Sequence, residues 1–327
     1  MFPPGPHNDL TDIADVCVGH HTLPAPARSG VTVVVPPIGT RGGVDVRGGA
    51  PGTRETDLLD PLNLVDRVDA VVLAGGSAFG LAAADGVMAA LEEQECGWPV
   101  PGGVVPIVPA AVVFDLGRSG DFAARPDAEA GRAAFTAASR DPIELGAVGA
   151  GAGSLAGGLR GGVGSASAVL PSGATVAALV VVNSAGSVID PRTGQLYAAR
   201  VAEDGDRLEG VGLEGEQFAA YVRSERERRA ALELGTNTTI GVIVTDYALT
   251  KARCAKLAGI GHDGLARGID PVHTMFDGDT LFGLATGGFD GGREPTPAEE
   301  FDLLSAAATC VTRAVGRAVT PLTPLAP

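Results

Sequence analysis

The chain has 327 residues, with 24 lysines and arginines against 39 aspartates and glutamates, which gives a formal net charge of −15. Because 45% of the residues are hydrophobic and 19% are charged, the chain can bury a large core, and wholesale disorder is excluded. The negative charge argues against nucleic acid and anionic membranes as partners, since both require a basic surface. Glycine occupies 48 positions, about twice its usual share of ~7%, so the backbone must adopt unusual conformations at many places.

Neither a membrane-spanning helix nor a signal peptide is predicted. The longest apolar run, around 177–182, is far shorter than the ~20 residues that a spanning helix needs. The N-terminal residues MFPPGPHNDLTD lack the cationic start and the apolar core of a signal peptide. The four cysteines are scattered without a CxxC pair, so we expect reduced thiols that fill the core. Together these features favour a cytoplasmic globular protein.

The hydrophobic pattern predicts strands and helices in alternation. In chain order they are a buried strand at 30–37, a strand and glycine turn at 68–80, an amphipathic helix at 81–93, a strand-like run at 105–117, a strand and turn at 174–190, a strand starting at TNTTIGVIVTD, a helix at 250–267, and a final helix after the capping box at 296–299. The glycine-rich stretch 146–164 has too little side chain to pack as a regular element.

The charged segment 202–234 interrupts this pattern. It predicts a solvated helix face, and a mobile segment in front of a processing point is the alternative. Because apolar strands and helices continue on both sides of it, we expect one α/β domain rather than two.

The usual cofactor and metal motifs do not have the required spacing. No GxxxxGK[ST] sequence occurs, and the GGSAFG loop lacks the spacing of a dinucleotide fingerprint, so tight packing of strand against helix is the preferred interpretation. His20 and His21 are adjacent and would point to opposite faces of a strand. His262 and His273 lie 11 residues apart and share no helix face. We therefore predict neither a metal nor an organic cofactor.

A hydroxyl nucleophile beside carboxylates is the chemistry that remains. A threonine hydroxyl is inert at neutral pH unless a base takes its proton, and the threonine's own α-amino group, with a pKa of about 7.7–8, can be that base. The chain must first be cut before this threonine, whose hydroxyl can attack the preceding carbonyl to give an ester that water hydrolyses. The Asn237–Thr238 bond, between the charged segment and a buried strand, meets this description. Ordinary strand residues with the usual β-propensity of threonine are the alternative.

Several segments resemble a single known family. GTNTTIGVIVTD and HTMFDGDTLFGLATGG resemble the β-chain of the autoprocessing L-aminopeptidase/D-amidase/D-esterase family, and they are most similar to its nylon-oligomer endohydrolase branch. VDVRGGAPGTRETDLL, AVVLAGGSAFGL, GAVGAGAG and VVVNSAGSVID resemble the same family in the same order, so the resemblance covers nearly the whole chain. It implies an N-terminal-nucleophile-hydrolase-like α/β fold, a four-layer α/β/β/α sandwich. This single catalytic domain, 1–327, would be cut into 1–237 and 238–327.

The resemblance also assigns residues to a site. Thr238 would be both the processing residue and the nucleophile of the mature enzyme. Asp277 and Asp279 of the DGD motif would lie beside the new amino terminus, where Asp279 orients the threonine and Asp277 supports it; a surface Asp-Gly-Asp turn is the alternative. Asn183 matches the family asparagine whose side-chain NH₂ helps to hold the oxyanion, and a buried structural amide is the alternative.

Two positions depart from the family pattern. Related enzymes commonly carry a lysine where this chain has Gly158. Arg160, two residues further on, would be a nearby source of charge, although a guanidinium cannot act as a base. In several relatives a tyrosine hydroxyl near the oxyanion stands where this chain has Phe114. Both changes bear on processing efficiency and substrate range, and neither touches Thr238 or the DGD motif.

The resemblance therefore implies an amidohydrolase that cleaves linear amide bonds through an acyl-threonine intermediate. Its substrate would be a nylon-type ω-amino acid oligomer or the N-terminal residue of a short peptide or amide. The alternatives are a β-peptidyl aminopeptidase without nylon activity, acyl transfer as in ornithine acetyltransferases, and a binding protein whose chain stays intact. We expect no nucleic-acid or membrane partner, and a homo-oligomer, a tetramer of processed pairs, because oligomers are usual in the family.

Overall fold

A computed structural model describes residues 2–230 and 236–323 of the chain. The described strands are β1 (Cys17–Thr22), β2 (Gly30–Val35), β3 (Arg41–Val46), β4 (Thr53–Arg54), β5 (Val71–Ala74), β6 (Trp98–Val100), β7 (Gly103–Val105), β8 (Ala110–Val112), β9 (Leu155–Ala156), β10 (Leu159–Arg160), β11 (Gly162–Val169), β12 (Thr175–Asn183), β13 (Thr238–Thr245) and β14 (Thr280–Ala285). The described α-helices are α1 (Ala83–Glu93), α2 (Ala128–Thr136), α3 (Gly215–Ala230), α4 (Lys251–Gly268) and α5 (Pro297–Ala318). Among these helices, none has the length and apolar composition that a membrane crossing would require.

Ten of the strands form two five-stranded sheets. The first has the order β1-β2-β5-β8-β4, and the second has the order β11-β12-β13-β14-β3. In the second sheet β12 pairs antiparallel with β11 and β13, whereas β13 and β14 run parallel. The strand that the sequence predicts after the charged segment is therefore the central strand of its sheet.

Side-chain alternation divides the molecule into four layers. Along β12, Leu179 faces the core between the two sheets, whereas Val180 packs with residues of α4 and α5. Along β5, Leu73 belongs to the same inter-sheet core, whereas Val72 packs with residues of α1 and α2. Each sheet thus buries one face against the other sheet and one face against a helix pair. The four-layer α/β/β/α sandwich expected from the sequence is confirmed.

Glycines allow α4 to lie directly on the second sheet. A Cβ atom at Gly43 of β3 would lie 2.3 Å from the backbone nitrogen of Ala255, and one at Gly283 of β14 would lie 2.3 Å from the carbonyl oxygen of Cys254. No real Cβ atom makes such contacts, so these positions accept only glycine. Close approach of helix to sheet therefore accounts for part of the glycine excess.

The structure corrects two of the sequence predictions. Within the run 105–117, Val105 ends β7 and Ala110–Val112 forms β8, and the residues between them form no strand, because Pro106 and Pro109 have no N–H group to donate to a ladder. The stretch 146–164, for which no regular element was expected, contains the β9–β10 hairpin and the start of β11. The predicted charged helix exists as α3, and residues 231–234 of that segment lie outside the described residues.

A buried ion pair ties α5 to distant parts of the chain. The side chain of Arg313 is buried, and its Nε and Nη2 atoms lie 2.6 Å and 2.9 Å from the two carboxylate oxygens of Asp206. The same guanidinium donates to the carbonyl oxygen of Ser167 at 2.7 Å and to the side-chain oxygen of Asn8 at 2.8 Å. It therefore links α5 to β11 and to the N-terminal segment.

Replacing this arginine should cost much stability. Arg313→Met leaves the Asp206 carboxylate buried without its counter-charge, and we expect a loss of about 3–5 kcal/mol in the free energy of unfolding. Urea unfolding followed by circular dichroism measures it. The control Arg140→Gln removes an exposed pair with Asp15 and should change the value by less than about 1 kcal/mol. A loss at Arg313 no larger than that of the control would contradict the prediction.

Candidate active site

The start of β13 lies opposite the end of β12. Thr238 and Asn183 are direct partners in the antiparallel ladder. Along each strand they have the same side-chain parity as Val181 and Ile240, which belong to the core between the sheets. Both residues are buried, with exposed fractions of 4% for Thr238 and 0% for Asn183. The sheet register therefore places the predicted nucleophile and the predicted oxyanion amide side by side on one face.

The hydroxyl of Thr238 contacts the peptide bond that the sequence predicts to be cut. Its Oγ1 atom donates to the carbonyl oxygen of Asn237. A Cβ atom at Gly278 would lie 2.9 Å from this Oγ1 and 2.5 Å from the carbonyl oxygen of Ala50. The glycine of the DGD motif thus leaves room for the threonine hydroxyl beside the two carboxylates.

Asp279 fixes the backbone next to Thr238. One carboxylate oxygen accepts the N–H of Thr239 at 2.7 Å, and the other accepts the backbone N–H of His273 at 3.1 Å and lies 2.8 Å from its ring Nδ1. Because a carboxylate only accepts hydrogen bonds, the Nδ1 atom carries the ring proton in this pair. His273 therefore fixes the position of the Asp279 side chain, and Asp279 in turn fixes the start of β13.

Asp277 connects the DGD motif to the loop after β12. Its Oδ1 atom accepts the N–H of Ala185 at 3.2 Å, and its Oδ2 atom accepts the hydroxyl of Thr274 at 2.6 Å. Burial raises the pKa of Asp277, and the negative charge of Asp279 raises it further. The exposed fractions are 2% for Asp277 and 1% for Asp279, so the alternative of a surface turn is wrong.

The side-chain amide of Asn183 is held in one orientation. Its oxygen accepts from Nη1 of Arg118 at 2.5 Å and from the N–H of Leu155 at 3.0 Å, and its nitrogen donates to the carbonyl oxygen of Phe114 at 3.1 Å. Donors on one side and an acceptor on the other distinguish the oxygen from the nitrogen. One of the two N–H groups remains for a further acceptor. Phe114 makes this contact through its backbone, which a tyrosine at that position would retain.

Arg118 is a site residue that the sequence analysis missed. Besides Asn183 it contacts the carbonyl oxygen of Gly153 at 2.7 Å and that of Thr236, two residues before Thr238, at 3.3 Å. Burial lowers its pKa to about 10, and the charge of Asp115 opposes the shift, so the side chain stays protonated at neutral pH. A single arginine in the loop FDLGRSG belongs to no motif, so the sequence held no signal for it.

The two central histidines also meet, contrary to the sequence analysis. The ring centroids of His262 and His273 lie 4.7 Å apart, with the rings edge to face. A shared helix face was the wrong test, because His262 lies on α4 and His273 in the loop before β14. Burial lowers the pKa of His262 to about 4, so it is neutral at pH 7. The only signal for His273 was its place in the HTxxDGDTLF motif.

Arg160 and Gly158 lie at the edge of the site. The side chain of Arg160 is exposed and makes no hydrogen bond to the described site residues; it lines a cavity together with Arg118. Gly158 has a φ of +83°, which favours glycine. A Cβ atom there would lie 3.7 Å from the Tyr221 ring and 3.8 Å from Nε of Arg228, so two side chains of α3 border this position.

Comparison with known proteins identifies the family. Residues 8–325 match peptidase family S58. An uncharacterized aminopeptidase of Mycobacterium tuberculosis is 49% identical over 98% of this chain and 95% of its own length. The chain belongs to peptidase family S58. A 6-aminohexanoate-oligomer endohydrolase of Kocuria sp. is 32% identical to the S58 chain over 86% of this chain and 76% of that protein.

Solved structures share the fold of the S58 chain. A beta-aminopeptidase of Burkholderia sp. matches with a TM-score of 0.73 and 23% identity, over 98% of this chain and 88% of that chain. The L-aminopeptidase D-Ala-esterase/amidase of Ochrobactrum anthropi, described as a variant of the Ntn hydrolase fold, matches with a TM-score of 0.72 and 20% identity, over 100% and 93%. The family model and the relatives named as aminopeptidases show a peptidase, the solved structures show that it shares the Ntn hydrolase fold, and the resemblance drawn from the sequence is confirmed.

The raised pKa of Asp277 predicts a dependence of stability on pH. Between the ordinary value of 3.8 and the raised value, the unfolded chain loses this proton first, so stability falls as the pH rises through that interval. Asp277→Asn lacks this fall, and its free energy of unfolding relative to the parent should rise between about pH 3.5 and pH 7.5. Urea unfolding of both proteins at both pH values, in a Thr238→Ala background, measures the difference. The exposed control Asp204→Asn should run parallel to the parent, and a parallel course for Asp277→Asn would contradict the prediction.

Proposed function

We propose that the S58 chain is an autoprocessed N-terminal-threonine amidohydrolase that cleaves linear amide bonds. The observation that carries this proposal is the contact of the buried Thr238 hydroxyl with the carbonyl oxygen of Asn237, at the start of the central strand β13. Relatives named as aminopeptidases and as 6-aminohexanoate-oligomer endohydrolases support this class of reaction. The substrates are N-terminal residues of short peptides or amides, or oligomers of the nylon type.

The chain itself is the first substrate. Oγ1 of Thr238 attacks the carbonyl carbon of Asn237, the hydroxyl proton is transferred to the departing amide nitrogen, and an ester replaces the amide. Water then hydrolyses the ester, which yields a carboxylate on Asn237 and a free amino group on Thr238. The hydrogen bond from Thr239 to Asp279 supports this step, because it holds the strand while the bond before it breaks.

In turnover the new amino group of Thr238 is the base. With a reference pKa of about 7.7–8.0 it is partly unprotonated near neutral pH, so it accepts the hydroxyl proton and passes it to the leaving amine. The carbonyl of the substrate takes the place of the Asn237 carbonyl. The free N–H of the Asn183 amide donates to the developing oxyanion, and the acyl-threonine ester is then hydrolysed by water.

Substitution of Thr238 should show whether its hydroxyl acts as the nucleophile or has only a structural role. Thr238→Ala should abolish both chain cleavage and amide turnover, because no hydroxyl remains to attack. Thr239→Val is the matched control: this buried neighbour has opposite side-chain parity and a hydroxyl without a partner among the described residues, so both activities should persist. Intact-mass spectrometry measures the cleavage. Turnover is measured as release of 4-nitroaniline from L-alanyl 4-nitroanilide and as formation of products from linear 6-aminohexanoate oligomers.

The masses make the result unambiguous. Since 327 residues weigh 32.7 kDa, cleavage before Thr238 should give fragments of about 24 and 9 kDa. A purified wild-type protein that stays intact on long incubation would refute autoprocessing. Cleavage of Thr238→Ala at the same bond would refute the choice of nucleophile.

A further inference from the structure

A basic cavity lies beside the Asn183 amide. It has a volume of about 370 Å³, and three arginines line it, Arg28, Arg118 and Arg160. None of the described residues that line it is acidic. The N–H of Leu155, another lining residue, donates to the side chain of Asn183, so the cavity adjoins the predicted oxyanion site. Such a concentration of positive charge is unexpected in a chain with a net charge of −15.

The guanidinium of Arg118 forms no direct ion pair with a described carboxylate. Its three hydrogen-bond acceptors are the neutral oxygens of Gly153, Asn183 and Thr236. Within the described residues, no carboxylate oxygen lies within 4.0 Å of its guanidinium nitrogens. The charge of the buried Asp115 carboxylate opposes the effect of desolvation on Arg118 but does not cancel it, so this half-buried cation can still gain from an anion in the cavity.

The rest of the cavity also offers unused donors. The side chains of Arg28 and Arg160 are exposed and form no hydrogen bond or ion pair to any described residue. The hydroxyl of Ser154 is buried, with the residue 2% exposed, and it has no hydrogen-bond partner in the described part of the chain. Guanidinium groups and a hydroxyl are the donors that proteins use to bind carboxylates.

The chain indicates which part of a substrate would reach the cavity. In the uncut protein, Thr236 and Asn237 precede Thr238 and form the acyl side of the bond that Thr238 would attack. Arg118 contacts the carbonyl oxygen of Thr236, so the cavity flanks the acyl side and not the side of the leaving amine.

We propose that this cavity binds a carboxylate carried by the acyl portion of the substrate, and that the enzyme prefers amides of acidic acyl groups over neutral ones. The inference rests on the proposed amidohydrolase function and names its substrate class. The new C-terminal carboxylate of Asn237 has the same chemistry, so the experiment must distinguish substrate from chain end.

Two matched substrate pairs test the proposal on the purified enzyme. L-Glutamyl and L-glutaminyl 4-nitroanilide have nearly the same shape and differ in one charge, and glutaryl and glutaramoyl 4-nitroanilide form a second such pair without an amino group. We expect kcat/KM to be at least about tenfold higher for the acidic member, as one charge-assisted hydrogen bond would give. Arg28→Gln and Arg160→Gln should each reduce this ratio about threefold or more, mainly through KM. Arg140→Gln, an exposed arginine paired with Asp15, should leave the ratio unchanged.

The possible outcomes separate the two proposals. Equal or better cleavage of the neutral substrates would overturn the acidic preference and leave the amidohydrolase function standing. Arginine variants that slow only chain cleavage, with an unchanged substrate ratio, would assign the cavity to the chain's own end and overturn the inference as well. An uncut chain that hydrolyses none of the four amides would overturn the amidohydrolase function itself, and the substrate class with it.

Discussion

The hydrogen bond from the N–H of Thr239 to the carboxylate of Asp279 determines the geometry of the candidate site. The parallel pairing of β13 with β14 begins at Ile240 and Thr280, one residue after each of these partners. The Asp279 side chain thus gives β13 one more hydrogen bond, just before the first backbone pair between β13 and β14. On its other side β13 is held by β12, which places Asn183 against Thr238. Thr238 is therefore held from both sides at the end of a central strand, where its preceding peptide bond remains outside the sheet pairing with β14.

Much of the fold could be predicted from the sequence, because apolar alternation and capping are local signals. The capping box at Thr296 begins α5, and the strand after the charged segment begins at Thr238, as the pattern indicates. The length of a strand was less predictable where a proline removes an N–H donor from the hydrogen-bond ladder, which is why β8 has only three residues. The four layers themselves came from the family resemblance, since periodicity alone does not tell which strands share a sheet.

The candidate site could likewise be predicted only in part from the sequence. Thr238, Asn183 and the two aspartates lie in recognisable motifs, and the structure brings them together. Arg28 and Arg118 lie on loops and Arg160 lies in β10; the three are distant in sequence, and their proximity follows from tertiary packing that no local pattern encodes. His273 shows the limit most clearly, because its motif was noticed while its bond to Asp279 depends on how a loop folds back.

The glycines beneath α4 have a consequence for how the enzyme can adapt. At Gly43 and Gly283 the helix backbone rests on the sheet backbone, so the contact contains no side chains whose rotamers could adjust. This layer is a stiff support and cannot absorb a change in volume. Changes in the shape of the site are consequently left to the loops that carry Arg28 and Arg118 and to the β9–β10 hairpin that carries Arg160. The helix-backed sheet thus fixes the position of Thr238 and of the DGD motif, whereas the loops and the hairpin around the cavity can vary in sequence.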